Sequence, residues 1–229
     1  MRARPGDRET RTNGRDRLCE RFSAGSLGPG EGNMANGVFC LEGDWWGDLK
    51  RPTSVEPILE LLEKSRLHVP YIYRDAGTRE ELGYYVRKWA QKKHADYPIL
   101  YLGFHGGPGE IYVGDQRNKA GTIPLEWFEE ELRGSFGPGD RRVILFGSCE
   151  TLDVDGRVLR RILRATGLRA LLGYKESVDF MDSTIFELVV LTGLQECSLL
   201  GQGITKLRKQ IDKQHGRLSR ELRFRAVTP

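Results

Sequence analysis

Two residues in this chain can together break an acyl bond: His105 and Cys149. An imidazole titrates near neutrality and can take the proton of a thiol, and the thiolate so formed is the true sulfur nucleophile. Each residue follows a short apolar run, 99–104 before His105 and 143–146 before Gly147-Ser148-Cys149. Such runs read as buried strands of a parallel sheet, and the functional groups of an open parallel sheet collect beyond the carboxyl ends of its strands. Sequential strands usually pair, so the two side chains are expected to meet over one edge of the sheet. His105 is then the base and Cys149 the nucleophile. The backbone N–H groups of Gly106 and Cys149 are the expected oxyanion-hole donors. Gly107 and Gly109 leave room for a substrate backbone.

Taken singly, a cysteine at a strand end is often a small buried hydrophobe, and a lone histidine is often structural. The joint placement, with glycines after the histidine, is what singles this pair out. Cys40 also closes an apolar run, but no glycine-flanked turn surrounds it, so core packing is expected there. His68, His94 and His215 fall in helix ends or linkers and read as surface residues. The four cysteines, Cys19, Cys40, Cys149 and Cys197, show neither C-x-x-C spacing nor nearby paired histidines. Reduced thiols are therefore expected, with no metal site and no cofactor.

The elements that must position the pair can be read along the chain. Residues 1–36 are rich in Arg, Gly, Asp, Glu and Ser with few large apolar residues, and predict a disordered tail ahead of a domain over 37–229. From Gly37 on, short β-rich runs alternate with amphipathic helices, which predicts an α/β domain: a mostly parallel central sheet of about six strands with helices on both faces. The expected core strands cover 38–41, 69–73, 99–104, 143–146 and 170–173, with a last edge strand over 222–227. Ser54 is the expected cap of a first helix carrying Val55, Ile58, Leu59 and Leu62, and Thr78 with Glu81 predicts a capping box for a second. A small hairpin is expected from 110–113 and 122–123, followed by a helix with Leu125, Phe128 and Leu132. Asp155 starts and Gly167 stops a further helix, and the last two are expected over 183–191, capped by Asp182, and over 198–213.

The formal net charge is only +4, with the excess at the C-terminus, where Lys206, Arg208, Lys209, Lys213, Arg217, Arg220, Arg223 and Arg225 face Asp212 and Glu221. This reads as a solvated basic helix face, and nucleic acid is not an expected partner. No apolar run approaches the roughly 20 residues that cross a bilayer, and no secretory signal is visible, so a cytoplasmic protein without membrane contact is expected.

A hydrophobic strand ending in His-Gly (Ile99-Leu100-Tyr101-Leu102-Gly103-Phe104-His105-Gly106), then about 40 residues on a second ending in a small residue and Cys (Val143-Ile144-Leu145-Phe146-Gly147-Ser148-Cys149), resembles the caspase-like superfamily of cysteine peptidases, clan CD. That group includes caspases, metacaspases, gingipains, separase and bacterial CHAT proteases. The CHAT branch is the most similar, through Leu171-Leu172-Gly173-Tyr174 followed by an acidic loop with Asp179 and Asp182. The resemblance implies a three-layer caspase-like sandwich, endopeptidase activity through a thioester acyl-enzyme, and a protein or peptide substrate. A free-standing peptidase domain with a tail is further expected to be restrained by a regulatory protein partner, a ligand or proteolytic maturation. The chain departs from the caspase pattern Gln-Ala-Cys-Arg-Gly, for which Gly147-Ser148-Cys149-Glu150-Thr151 stands, and it shows no arginine pair for a P1 aspartate. In related peptidases of basic specificity, acidic residues after the first strand and near the cysteine line the S1 pocket. Glu42, Asp44, Glu150 and Asp179 are the corresponding substrate-binding candidates, implying P1 Arg or Lys. Trp45 and Trp46 either cover the core edge or line a substrate groove.

Other functions remain open at this level. A catalytically silent caspase-like scaffold or sensor would retain the same residues. An α/β-hydrolase esterase would use His105-Gly106-Gly107 as an oxyanion loop, but its Gly-x-Ser-x-Gly elbow is missing. A phosphate cradle at 106–109 would require the glycines to open a helix, whereas Glu110-Ile111-Tyr112-Val113 reads as a strand.

Overall fold

A computed structural model describes residues 35–47, 50–51, 53–114 and 119–229. The tail expected over 1–36 lies outside the described residues up to Met34. Its last two residues belong to the domain. The Asn36 amide N–H donates to Gln195 Oε1 (2.8 Å) and its side chain donates to the Leu194 carbonyl (2.9 Å), so the fold begins two residues earlier than the sequence suggested.

Six strands form the central sheet, in the order β2-β1-β3-β7-β8-β9: β1 Val38–Glu42, β2 Tyr71–Asp75, β3 Ile99–Gly103, β7 Val143–Gly147, β8 Ala170–Tyr174 and β9 Phe224–Val227. All neighbours are parallel except β9, which closes one edge antiparallel to β8. Because strand side chains alternate, each strand feeds two cores. Phe39, Leu41, Leu100, Leu102, Ile144 and Phe146 face α2 (Arg79–Trp89), α3 (Leu125–Leu132) and α4 (Gly156–Thr166). Val38, Cys40, Ile99, Tyr101, Val143 and Leu145 face α1 (Glu56–Lys64), α5 (Phe180–Glu196) and α6 (Gly203–Gln214), with α7 (Gly216–Glu221) beyond. The result is a three-layer α/β sandwich whose central strands are buried on both sides, the reason their sequences are unbroken apolar runs.

A second, antiparallel sheet of three short strands, β4 His105–Gly107, β5 Glu110–Tyr112 and β6 Thr122–Pro124, stands beyond the end of β3. The expected hairpin is present, but it gains a third strand that contains His105 itself.

Local signals account for most boundaries. The Thr78 hydroxyl accepts the Glu81 N–H while the Glu81 carboxylate accepts that of Thr78, the expected capping box. Asp155 caps α4, and Gly167, at φ 84°, ends it. Several boundaries differ, among them the start of α6 at Gly203 where 198 was expected and of β9 at Phe224 where 222 was expected. The second strand starts at Tyr71 instead of Val69, because Pro70 has no N–H to give to a ladder. Val55, not Ser54, occupies the cap position of α1, although the Ser54 hydroxyl still accepts the Glu56 N–H at 3.0 Å. α5 begins at Phe180, capped by Asp179, whose carboxylate accepts the N–H groups of Met181 (2.8 Å) and Asp182 (3.2 Å). Asp182 is therefore inside the helix and is not its cap. No helix among the described residues is long and apolar enough to cross a membrane.

Candidate active site

The register between β3 and β7 pairs Gly103 with Gly147. His105 and Cys149 each lie two residues beyond that pair, so adjacent parallel strands deliver them to the same edge. They line one cavity of about 310 Å³, together with Trp45, Trp46, Phe104, Ser148, Val178, Asp179, Phe180 and Ser183.

The His105 ring is held by its Nε2, which meets the backbone carbonyl of Trp45. A carbonyl oxygen only accepts, so Nε2 carries a proton, and in the neutral ring Nδ1 is the nitrogen with the free lone pair. The indole of Trp45 also packs edge-on against the imidazole, 5.3 Å between centroids, with that of Trp46 at 6.2 Å. Trp45 is positioned from β1. The carboxylate of Glu42 accepts from its indole N–H, from the Val55 amide at 2.8 Å, from the Ser54 hydroxyl at 2.6 Å and from the Tyr73 hydroxyl at 2.7 Å. Asp44 turns the intervening loop by accepting the N–H groups of Trp46 and Gly47, each at 3.0 Å.

The turn carrying Cys149 is braced differently. Ser148 is buried and its hydroxyl meets that of Thr151 at 2.7 Å; Thr151 Oγ1 in turn reaches the carbonyl oxygens of Glu110 (3.1 Å) and Cys149 (3.2 Å). Glu150 adopts a left-handed φ of 55°, a conformation that costs free energy in a residue other than glycine and that clusters at functional turns. Its N–H donates to Glu176 and that of Leu152 to Tyr174, tying the turn to the end of β8. Gly106 packs directly against this turn: a Cβ there would lie 2.5 Å from Thr151 Oγ1 and 2.8 Å from the Cys149 carbonyl oxygen. Only glycine can follow the histidine. The sulfur of Cys149 accepts the Val178 N–H at 3.4 Å, and the Ser177 hydroxyl lies at 3.9 Å. No hydrogen bond joins the thiol to His105 among the described residues; the thiol leans toward Val178.

The four acidic candidates separate. Asp179 lines the cavity and has one oxygen engaged in capping α5. Glu42 does not face the cavity: it is 1% exposed and saturated with donors, a structural carboxylate under the Trp45 loop. Asp44 has one oxygen engaged in its own turn and lies outside the cavity lining, and Glu150 is half-buried, also outside it. Trp45 and Trp46 both line the cavity. Among the described residues, no group of three His, Cys, Asp or Glu side chains is arranged to hold a metal ion.

Sequence reasoning missed the Trp45 carbonyl, because a backbone acceptor leaves no mark in residue type. It also missed Glu187, a carboxyl 2% exposed in α5 below Gly147. Tyr101 and Tyr174 donate their hydroxyls to it, the second at 3.1 Å. Burial pushes Glu187 up to about 7, with Glu42 adding to the push and the tyrosine hydroxyls opposing it. Burial first, and then Glu187, hold both tyrosines well above their usual range. A signal was present: a lone acid inside the apolar run 185–191.

The described fold coincides with a known sequence family. A family model, described as a family of unknown function (DUF6642), matches residues 35–227. The chain belongs to that family. The DUF6642 match starts at the first described residue and spans both strands that carry the pair and every helix that packs on them. No curated protein matches the sequence.

Proposed function

We propose that this chain is a caspase-like cysteine endopeptidase in which His105 and Cys149 form the catalytic dyad. The observation that carries the reading is the placement of His105: its Nε2 is committed to the Trp45 carbonyl, leaving Nδ1 as the free base of a ring that lines the same cavity as Cys149. His105 takes the thiol proton as sulfur attacks the scissile carbonyl carbon. The oxyanion is held by the N–H groups of Gly106 and Cys149. As the tetrahedral intermediate collapses, the C–N bond breaks and the imidazolium protonates the leaving amine. Water, deprotonated by His105, then hydrolyses the thioester and releases the acid.

Asp179 is the acidic side chain in the lining, and its second carboxylate oxygen supports a preference for P1 Arg or Lys. The substrate is a protein or peptide, and a regulatory protein controls access. The enzyme works in the reducing cytoplasm, where Cys149 stays a thiol, and needs neither a membrane nor a nucleic acid.

One observation favours a second reading, a silent scaffold or sensor of the same fold. The thiol leans on Val178 and is not bonded to His105, a resting arrangement that an inactive domain would also keep.

Labelling with an acyloxymethyl-ketone peptide carrying P1 Arg, read by intact mass, separates the two. The peptidase gives a single adduct that disappears in Cys149→Ala and His105→Ala. Absence of an adduct with every P1 residue tried, Arg, Lys, Asp and Leu, leaves the scaffold or an enzyme awaiting its activator.

A further inference from the structure

Beneath the nucleophile lies an acid that the mechanism above does not use. The oxygens of Glu187 meet Tyr101 of β3 and Tyr174 of β8, the two strands that flank β7. The last residue of β7 rests on this cluster. A Cβ on Gly147 would lie 2.9 Å from Glu187 Oε1 and 2.9 Å from the Tyr101 ring, and Cys149 is two residues on.

Counting protons gives the cluster two states. The Tyr174 hydroxyl lies near two acceptors, Glu187 Oε1 at 3.1 Å and the Ser183 carbonyl at 3.3 Å, but it has one proton to give. If Glu187 is ionised, both tyrosines donate to the carboxylate and the bond from Tyr174 to Ser183 is lost. If Glu187 is neutral, its own proton goes to the Tyr174 oxygen, and Tyr174 can donate to Ser183 while Tyr101 donates to the other oxygen. The neutral acid thus makes one more hydrogen bond. That bond reaches Ser183, which lines the cavity.

The surrounding charge acts the same way. The ionisable groups that face the cluster are Tyr101 from β3, Tyr174 from β8, Cys40 and Glu42 from β1, and Cys149 from the turn after β7. None of them is a cation. No neighbouring cation therefore stabilises an ionised Glu187.

We propose that Glu187 is a positioning residue for Cys149 that acts as the neutral acid, locking Gly147 and the Ser183 wall together and releasing them when it ionises. The proposal rests on the dyad reading. The position of the carboxyl, pushed up to about 7 by burial, puts the change in the neutral range.

The test is the alkylation rate of Cys149 by iodoacetamide from pH 5.5 to 8.5, followed by peptide mass, with Cys149→Ala as the blank. Glu187→Gln keeps the shape and the neutral state. The ratio of its rate to that of the wild type should be near one at pH 5.5 and rise to about three- to tenfold at pH 8.5. A ratio that stays flat or falls with pH overturns the proposal. Tyr174→Phe, which cannot pass a proton to Ser183, should flatten the wild-type response, and it decides the matter alone if Glu187→Gln does not fold; a profile matching the wild type overturns the proposal as well. Alkylation needs no peptide hydrolysis, so a His105→Ala rate equal to that of the wild type would sink the dyad while leaving the Glu187 ratio to be read independently.

Discussion

The two halves of the candidate dyad stand on buried carboxyls of the same type that are treated in opposite ways. On the histidine side, Glu42 is 1% exposed with four donors around it: an indole N–H, a backbone N–H and two hydroxyls. On the cysteine side, Glu187 is 2% exposed with two tyrosine hydroxyls, and burial drives it up to about 7. Burial is nearly equal, so the supply of donors makes the difference. A carboxyl surrounded by donors is held as a fixed strut, whereas Glu187 has fewer of them and is pushed up by burial to about 7, where neutral pH can remove its proton. The histidine is thereby anchored rigidly through the Trp45 loop, and the cysteine rests on an element that can change state.

The largest effect should come from breaking the strut. Glu42→Ala strands the Val55 N–H and the Trp45 indole N–H in the interior, and should cost about 3–5 kcal/mol in the urea unfolding free energy. It should also release the Trp45 carbonyl from His105, so ketone labelling should fall with the stability. An unchanged unfolding midpoint would show that Glu42 is not structural.

Next in size is the pH dependence of Glu187. Its folded value lies above the usual 4.5, so its stabilising contribution is complete below pH 4.5 and is lost as pH rises through about 7. The difference in Tm between Glu187→Gln and wild type should therefore move in favour of the variant across that window. The full change is ~3 kcal/mol, or roughly 6–12 °C for a domain of this size. A Tm difference independent of pH between 4.5 and 8 would remove the distinction between the two carboxyls.

Gly147→Ala tests the seat of the turn. The added methyl meets the Tyr101 ring and Glu187 at 2.9 Å each, and overpacking of this kind costs about 1–3 kcal/mol. The Cys149 alkylation rate should drop with it.

The smallest stability effect belongs to Asp179→Asn. Asn caps helices about as well as Asp, so the unfolding midpoint should stay within about 0.5 kcal/mol of wild type. Labelling by P1 Arg relative to P1 Leu should fall, and a selectivity equal to wild type would exclude Asp179 as the S1 acid.

What the sequence determined by itself was the framework and the chemical pair. The unbroken apolar runs of β1, β3, β7 and β8 showed strands buried on both faces. The Thr78–Glu81 box, Asp155 and Gly167 marked helix ends, because capping is a local matter of a few neighbouring dihedrals. His105 and Cys149 could be singled out because each follows such a run, and the Gly103–Gly147 pairing sets them side by side. Tertiary structure decided the rest. It turned Glu42 from a substrate candidate into a strut, because donors for its carboxylate come from Trp45, Ser54, Val55 and Tyr73, residues that meet only in the folded chain. It put Asp179 at the cavity and left Asp44 outside it, and it made a backbone carbonyl the partner of the imidazole. Whether an acid is a ligand, a cap or a strut depends on which donors surround it, and for Glu42 and Glu187 all of those donors but Trp45 come from distant parts of the chain.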